Sequence, residues 1–227
     1  MFQKTFWKSL LLPGLLLFSP GEIFSAETPL KGKEDFIQSG VHRITLSRWA
    51  DLRIAPAGIT LTPYMRTDKW RGFNSPGTRV RKNGEWKYTV EVPAAKNDTL
   101  FFETSLHGKE GASALQYSIS WRLADPGNCR ELFLYLELPY QSFRGRNMLI
   151  NGRKVPIITH ENKFAYYKQT APLDLILYPG EKNKELRIRS KQPLRISCES
   201  HKKGNRVWIR IYTVNNDTRV DFEITSR

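Results

Sequence analysis

Apolar residues recur at every second position through most of this chain, and that period constrains the fold more than any other feature. Leu115, Tyr117, Ile119, Trp121 and Leu123 alternate with Gln116, Ser118, Ser120 and Arg122. Leu132, Leu134, Leu136 and Leu138 alternate with Glu131, Phe133, Tyr135 and Glu137. Val207, Ile209 and Ile211 alternate with Arg206, Trp208, Arg210 and Tyr212, and Val220, Phe222 and Ile224 with Arg219, Asp221 and Glu223. Trp86, Tyr88, Val90 and Val92 repeat the pattern, and further runs lie near 42–48, 58–65, 99–107, 148–150, 154–158, 173–178, 185–189 and 194–199. Successive side chains of a strand point to opposite faces, so each run places one face in a core and the other in water.

Turn chemistry separates the runs. Asn83-Gly84, Asn151-Gly152 and Lys203-Gly204-Asn205 are hairpin signals, because Gly and Asn tolerate positive φ. Asp125-Pro126-Gly127-Asn128 and Pro179-Gly180 are tight turns. No amphipathic helix of ten residues or more, no internal repeat and no low-complexity tract stands out. The expected fold is all-β, an antiparallel two-sheet β-sandwich or jelly roll of about ten strands. With 227 residues, a single domain over 41–227 is the simplest organisation. Two smaller sandwiches divided near 125–129 are the alternative. Residues 27–40 are polar and contain Gly, and read as a flexible lead-in.

Residues 1–26 read as an export signal. Lys4 and Lys8 form a positive start, and Leu10 to Phe18 an apolar stretch too short to span a bilayer, which needs about 20 residues. Phe24-Ser25-Ala26 supplies a cleavage site after Ala26, with cleavage after Ser25 as the alternative. No later segment is long and apolar enough to cross a membrane as a helix, so the expected destination is periplasmic or extracellular. Removing residues 1–26 takes away Lys4, Lys8 and Glu22, so the formal charge falls by one, from +14 to +13.

The two cysteines, Cys129 and Cys198, exclude a cysteine-dense scaffold. In an oxidising compartment they are expected to pair, with two buried thiols as the alternative. The four histidines, His42, His107, His160 and His201, form no metal-binding spacing, and no metal or cofactor is expected. Nucleophile-elbow and phosphate-loop motifs are absent. Two carboxylate pairs are candidates for glycoside hydrolysis. Glu131 and Glu137 lie about 20 Å apart along a strand, whereas Asp221 and Glu223 lie at roughly 7 Å on one face. Phe164-Ala165-Tyr166-Tyr167-Lys168-Gln169 resembles the Tyr-Lys strand of alginate-lyase-like jelly rolls. The Arg-Glu-rich and Gln-x-His strands that accompany it in that family are missing, so no family is assigned.

Arg206, Trp208, Arg210 and Tyr212 share the face opposite Val207, Ile209 and Ile211. Two rings flanked by two guanidiniums can stack a sugar and grip its carboxylate or sulfate. They can equally form a ladder that merely covers the outer sheet. Arg187, Arg189 and Arg195 widen this basic face if sequential strands pair. A second candidate is the loop Asp68 to Gly77, which carries Trp70 and Phe73; these rings either meet a ligand or fold back over the sheet end. Arg79-Val80-Arg81-Lys82 and Arg144-Gly145-Arg146 add cations. Export and the lack of nucleic-acid-binding motifs argue against a nucleic-acid partner. The expected role is therefore non-catalytic binding of a glycan or envelope component, acidic polysaccharides included. A polysaccharide lyase or hydrolase and an assembly protein with a protein partner are the alternatives.

Overall fold

The computed structural model describes residues 36–47, 50–66, 70–72, 77–83, 85–93, 98–108, 112–123, 131–157, 164–167, 171–201, 205–213 and 218–226. The side chains of 65, 66, 70–72, 131, 132, 164–167, 200 and 201 are outside that description. In chain order the first strands are β1 (Ile37–Ser39), β2 (His42–Leu46), β3 (Leu52–Ala55), β4 (Ile59–Arg66), β5 (Trp70–Gly72) and β6 (Thr78–Lys82). Then come β7 (Glu85–Pro93), β8 (Thr99–His107), β9 (Ala114–Arg122) and β10 (Glu131–Pro139). A single helical turn, α1 (Tyr140–Phe143), leads to β11 (Asn147–Ile150), β12 (Arg153–Pro156), β13 (Phe164–Tyr167) and β14 (Pro172–Leu177). The last are β15 (Leu186–His201), β16 (Arg206–Thr213) and β17 (Arg219–Ser226).

All the ladders are antiparallel. One runs β1–β2–β3–β4–β10–β16–β15–β13, with β5 beside β3 on the same edge of β4. The other runs β6–β7–β8–β9–β17–β15–β14–β11–β12. β15 belongs to both. Its first residues, Leu186–Arg189, pair with β14 and β17, and Leu194–His201 pair with β16. The 17 strands among the described residues therefore form one continuous sheet, curled as a half-barrel. The expectation of two separate sheets and about ten strands is corrected on both counts. A 16-residue strand can bridge two ladders, and strands of three to five residues such as β1, β5 and β12 are too short to show a period.

Alternation placed the core faces as expected. Leu134, Leu136 and Leu138 on β10, Val207, Ile209 and Ile211 on β16, and Leu194, Ile196 and Cys198 on β15 are at most 6% exposed. Leu115, Tyr117, Ile119, Val220, Phe222 and Ile224 are buried from the other limb, while Trp121 and Leu123 are only partly covered. Each fully buried Leu or Ile stabilises by roughly 1.5–3 kcal/mol relative to exposure. Strands on either side of 125–129 pair with one another, β10 with β4 and β9 with β17. The described residues belong to one compact unit, Lys31–Arg227.

Turn chemistry is also as expected where it is described. Asn151 and Gly152 have φ of 49° and 77°, the primed turn joining β11 to β12. Gly40, at φ 55°, joins β1 to β2, and a Cβ there would sit 2.7 Å from Ser226 Oγ. β1 lies within the stretch read as a lead-in, with Ile37 and Ser39 buried. Residues 1–26, the loop 125–128 and Cys129 lie outside the described residues. No disulfide forms among the described residues, and Cys198 is fully buried in β15, opposite Ala165 and Ile209. Among the described residues no helix is long and apolar enough to cross a membrane, and no group of three or more His, Cys, Asp or Glu could hold a metal ion.

Candidate ligand-binding face

The four residues singled out on β16 do share its outer face, because Val207, Ile209 and Ile211 are locked into the core. Register turns this stripe into a grid. Trp208 stands between Glu137 of β10 and Glu199 of β15; Arg210 stands between Tyr135 and Ser197; Tyr212 stands between Phe133 and Arg195. β4 extends the rows with Thr60, Thr62 and Tyr64 opposite Glu137, Tyr135 and Phe133. Adjacent strands lie about 4.8 Å apart, so the backbones of Glu137 and Glu199 stand roughly 10 Å apart across Trp208.

The polar groups of this grid bond to one another. Arg206 Nη1 and Trp208 Nε1 both donate to Glu137 Oε2, each at 3.1 Å. Arg210 donates from Nη2 to Glu199 Oε2 at 2.5 Å and from Nε to Tyr135 Oη at 3.2 Å. Toward β3, Thr62 Oγ1 donates to Asp51 Oδ1 at 3.0 Å. The arginines and carboxylates are about two-thirds or more covered: 33% and 22% exposed for Arg206 and Glu137, 16% and 22% for Arg210 and Glu199. Charge-assisted bonds in so covered a setting are stronger than ordinary surface contacts.

Rings fill the rest of the face. Tyr135 lies 5.5 Å from Trp208, and Phe133 lies 5.0, 5.1 and 5.3 Å from Tyr135, Tyr212 and Tyr64. Arg195 stands over the Tyr212 ring at 5.5 Å, and Arg210 over Tyr135 at 5.3 Å. Such contacts lie in the favourable range for ring pairs and cation–π pairs. Burial pushes the Tyr135 hydroxyl up to about 12, with Arg210 pulling the other way. Tyr135 is thus a neutral hydrogen-bonding group near neutral pH, not a ready base. Tyr64 and Phe133 also line an apolar crevice with Trp121, Leu194, Thr213 and Phe222, at the strand ends where the rings meet the core.

The other candidates fall elsewhere. Arg187 and Arg189 lie on the part of β15 paired with β14 and β17, bound to Asp174 at 2.5 and 3.7 Å, so they do not widen the basic face as expected. Only Arg195 joins it. Trp70 pairs by its backbone with Arg66 of β4, but its side chain and all of Phe73 lie outside the described residues. Of the carboxylate pairs, Glu131 is known only by its backbone, Asp221 is tied to Arg219 at 3.0 Å, and Glu223 to Arg189 at 3.5 Å. Tyr166 and Phe164 of β13 face Ser197 and Glu199 in register. Arg79 and Arg81 stand over the buried Trp86 ring, and Arg146 over Tyr178.

Sequence reasoning missed Glu137, Tyr135, Phe133, Tyr64 and Glu199 as members of this face. The alternation puts Phe133, Tyr135 and Glu137 on the non-core side of β10, and two rings there were the available signal, although Phe133 is itself buried at 4% exposure. No protein-family model matches the chain, and no curated protein matches it in sequence.

Proposed function

We propose that this is an exported protein that binds a glycan or another cell-envelope component, without catalysis, on the outer face of β10, β16 and β15. The observation that supports this most is Trp208, whose ring nitrogen is anchored to Glu137 while a carboxylate-bearing strand flanks it on either side. Anchored rings bordered by hydrogen-bonding groups are what a sugar requires. The ring takes the C–H face, and the polar rim takes the hydroxyls. Order already present in the free protein lowers the entropy cost of binding. The side chains of this grid are held by one another, and none is poised as an activated nucleophile.

The test is a glycan array probed with the protein from residue 27 onward, followed by calorimetry on the hits. Binding that Trp208→Phe weakens severalfold, with thermal stability kept within a few degrees, supports the reading. No binding to any glycan overturns it. New absorbance from an unsaturated product, on mixing with a polyuronate, would replace it with a lyase.

A further inference from the structure

We infer that the ligand of this face is an uncharged, polyhydroxylated sugar and not a polyanion, an inference that rests on the binding reading above. The chain as a whole carries +14, which by itself favours anions. The face does not share that excess. Arg206 pairs with Glu137 at 3.1 Å and Arg210 with Glu199 at 2.5 Å, so among the described side chains two of the three guanidiniums on this face already meet a carboxylate. An anion drawn to either guanidinium must displace the carboxylate paired with it or sit beside that negative group, which is only 22% exposed. Separating a largely covered ion pair is costly.

Glu137 decides the sign of the selectivity. Both of its bonds, from Arg206 and Trp208, fall on Oε2. A carboxylate has about four acceptor positions, so Oε1 has capacity to accept from a ligand. A sugar hydroxyl donates there without meeting a like charge, whereas a uronate or sulfate brought beside Trp208 meets the negative oxygen at short range. The negative faces of the Trp208 and Tyr135 rings, 5.5 Å apart, act in the same direction.

Calorimetry with a neutral glucan, a neutral mannan and a polyuronate, at low salt and about 0.5 M salt, separates the cases. The expected result is binding to a neutral polymer that changes less than about twofold with salt, because hydroxyl contacts are little screened. Glu137→Gln should weaken that binding about tenfold, the equivalent of 1.4 kcal/mol. Binding of the polyuronate alone, falling steeply with salt and tightened by Glu137→Gln, would overturn this inference and leave the glycan-binding reading standing. Silence with all three polymers at both salts would overturn the inference and count against the binding reading itself. Should Glu137→Gln fail to fold, the salt response of the unaltered protein still decides between the first two outcomes.

Discussion

Arg210→Ala removes the guanidinium that joins three strands, and its cost can be worked from the geometry. Arg210 gives Glu199 a 2.5 Å bond and Tyr135 a 3.2 Å bond, and is itself 16% exposed. An exposed ion pair contributes about 0–1 kcal/mol, whereas removing one partner of a buried pair costs about 3–5 kcal/mol. Covering of this degree lies between those limits, so the Glu199 bond accounts for about 2 kcal/mol. The Tyr135 bond adds about 1 kcal/mol. A loss of about 3 kcal/mol lowers the melting temperature of a domain this size by about 6–12 °C. The assay is urea and thermal unfolding of Arg210→Ala, Glu199→Gln and the double variant. The double variant should be less destabilised than the sum of the singles by about 1.5 kcal/mol, as expected for groups in direct contact. If each single costs under about 0.5 kcal/mol and the two add, the pair is a solvated surface contact, and the argument for a pre-ordered face fails.

Three further outcomes are expected. The hydrogen bond from Arg187, with Arg189 nearby, holds the Asp174 carboxyl below its ordinary 3.8, so this contact stabilises the fold above the ordinary carboxylate range and is lost as pH falls through the lowered native value. Asp174→Asn should flatten that acid limb in urea midpoints measured against pH, and an unchanged limb would assign it to other groups. His42 is 1% exposed, and burial lowers its pKa from 6.5, so the unfolded chain takes up a proton first and stability declines as pH drops below about 6.5; His42→Leu should remove the decline, and a variant with the same slope would refute the assignment. Gly40→Ala should cost about 1–3 kcal/mol, since φ is 55° and the new Cβ would sit 2.7 Å from Ser226 Oγ, and a neutral result by thermal melting would mean that the hairpin and the end of β17 do not meet.

Much of the fold was legible in the sequence because strand faces obey a local rule. Whether Leu136 or Glu137 points inward depends on its immediate neighbours, and Asn151-Gly152 needs only its own backbone freedom to make a turn. The stripe Arg206, Trp208, Arg210 and Tyr212 was legible for the same reason. Which strand lies beside which is another matter. Glu137 meets Arg206 and Trp208 across 69 and 71 residues of chain. No periodicity on either strand specifies that pairing or its register. The same long-range register assigns Arg187 and Arg189 to Asp174 and leaves Arg195 with Tyr212, because β15 changes neighbours midway along its length. Sequence alone therefore determined the faces and the excess of positive charge. Only the tertiary structure decided that the charge on the candidate face is largely compensated, since compensation depends on which carboxylates the sheet brings within a few ångströms of each guanidinium.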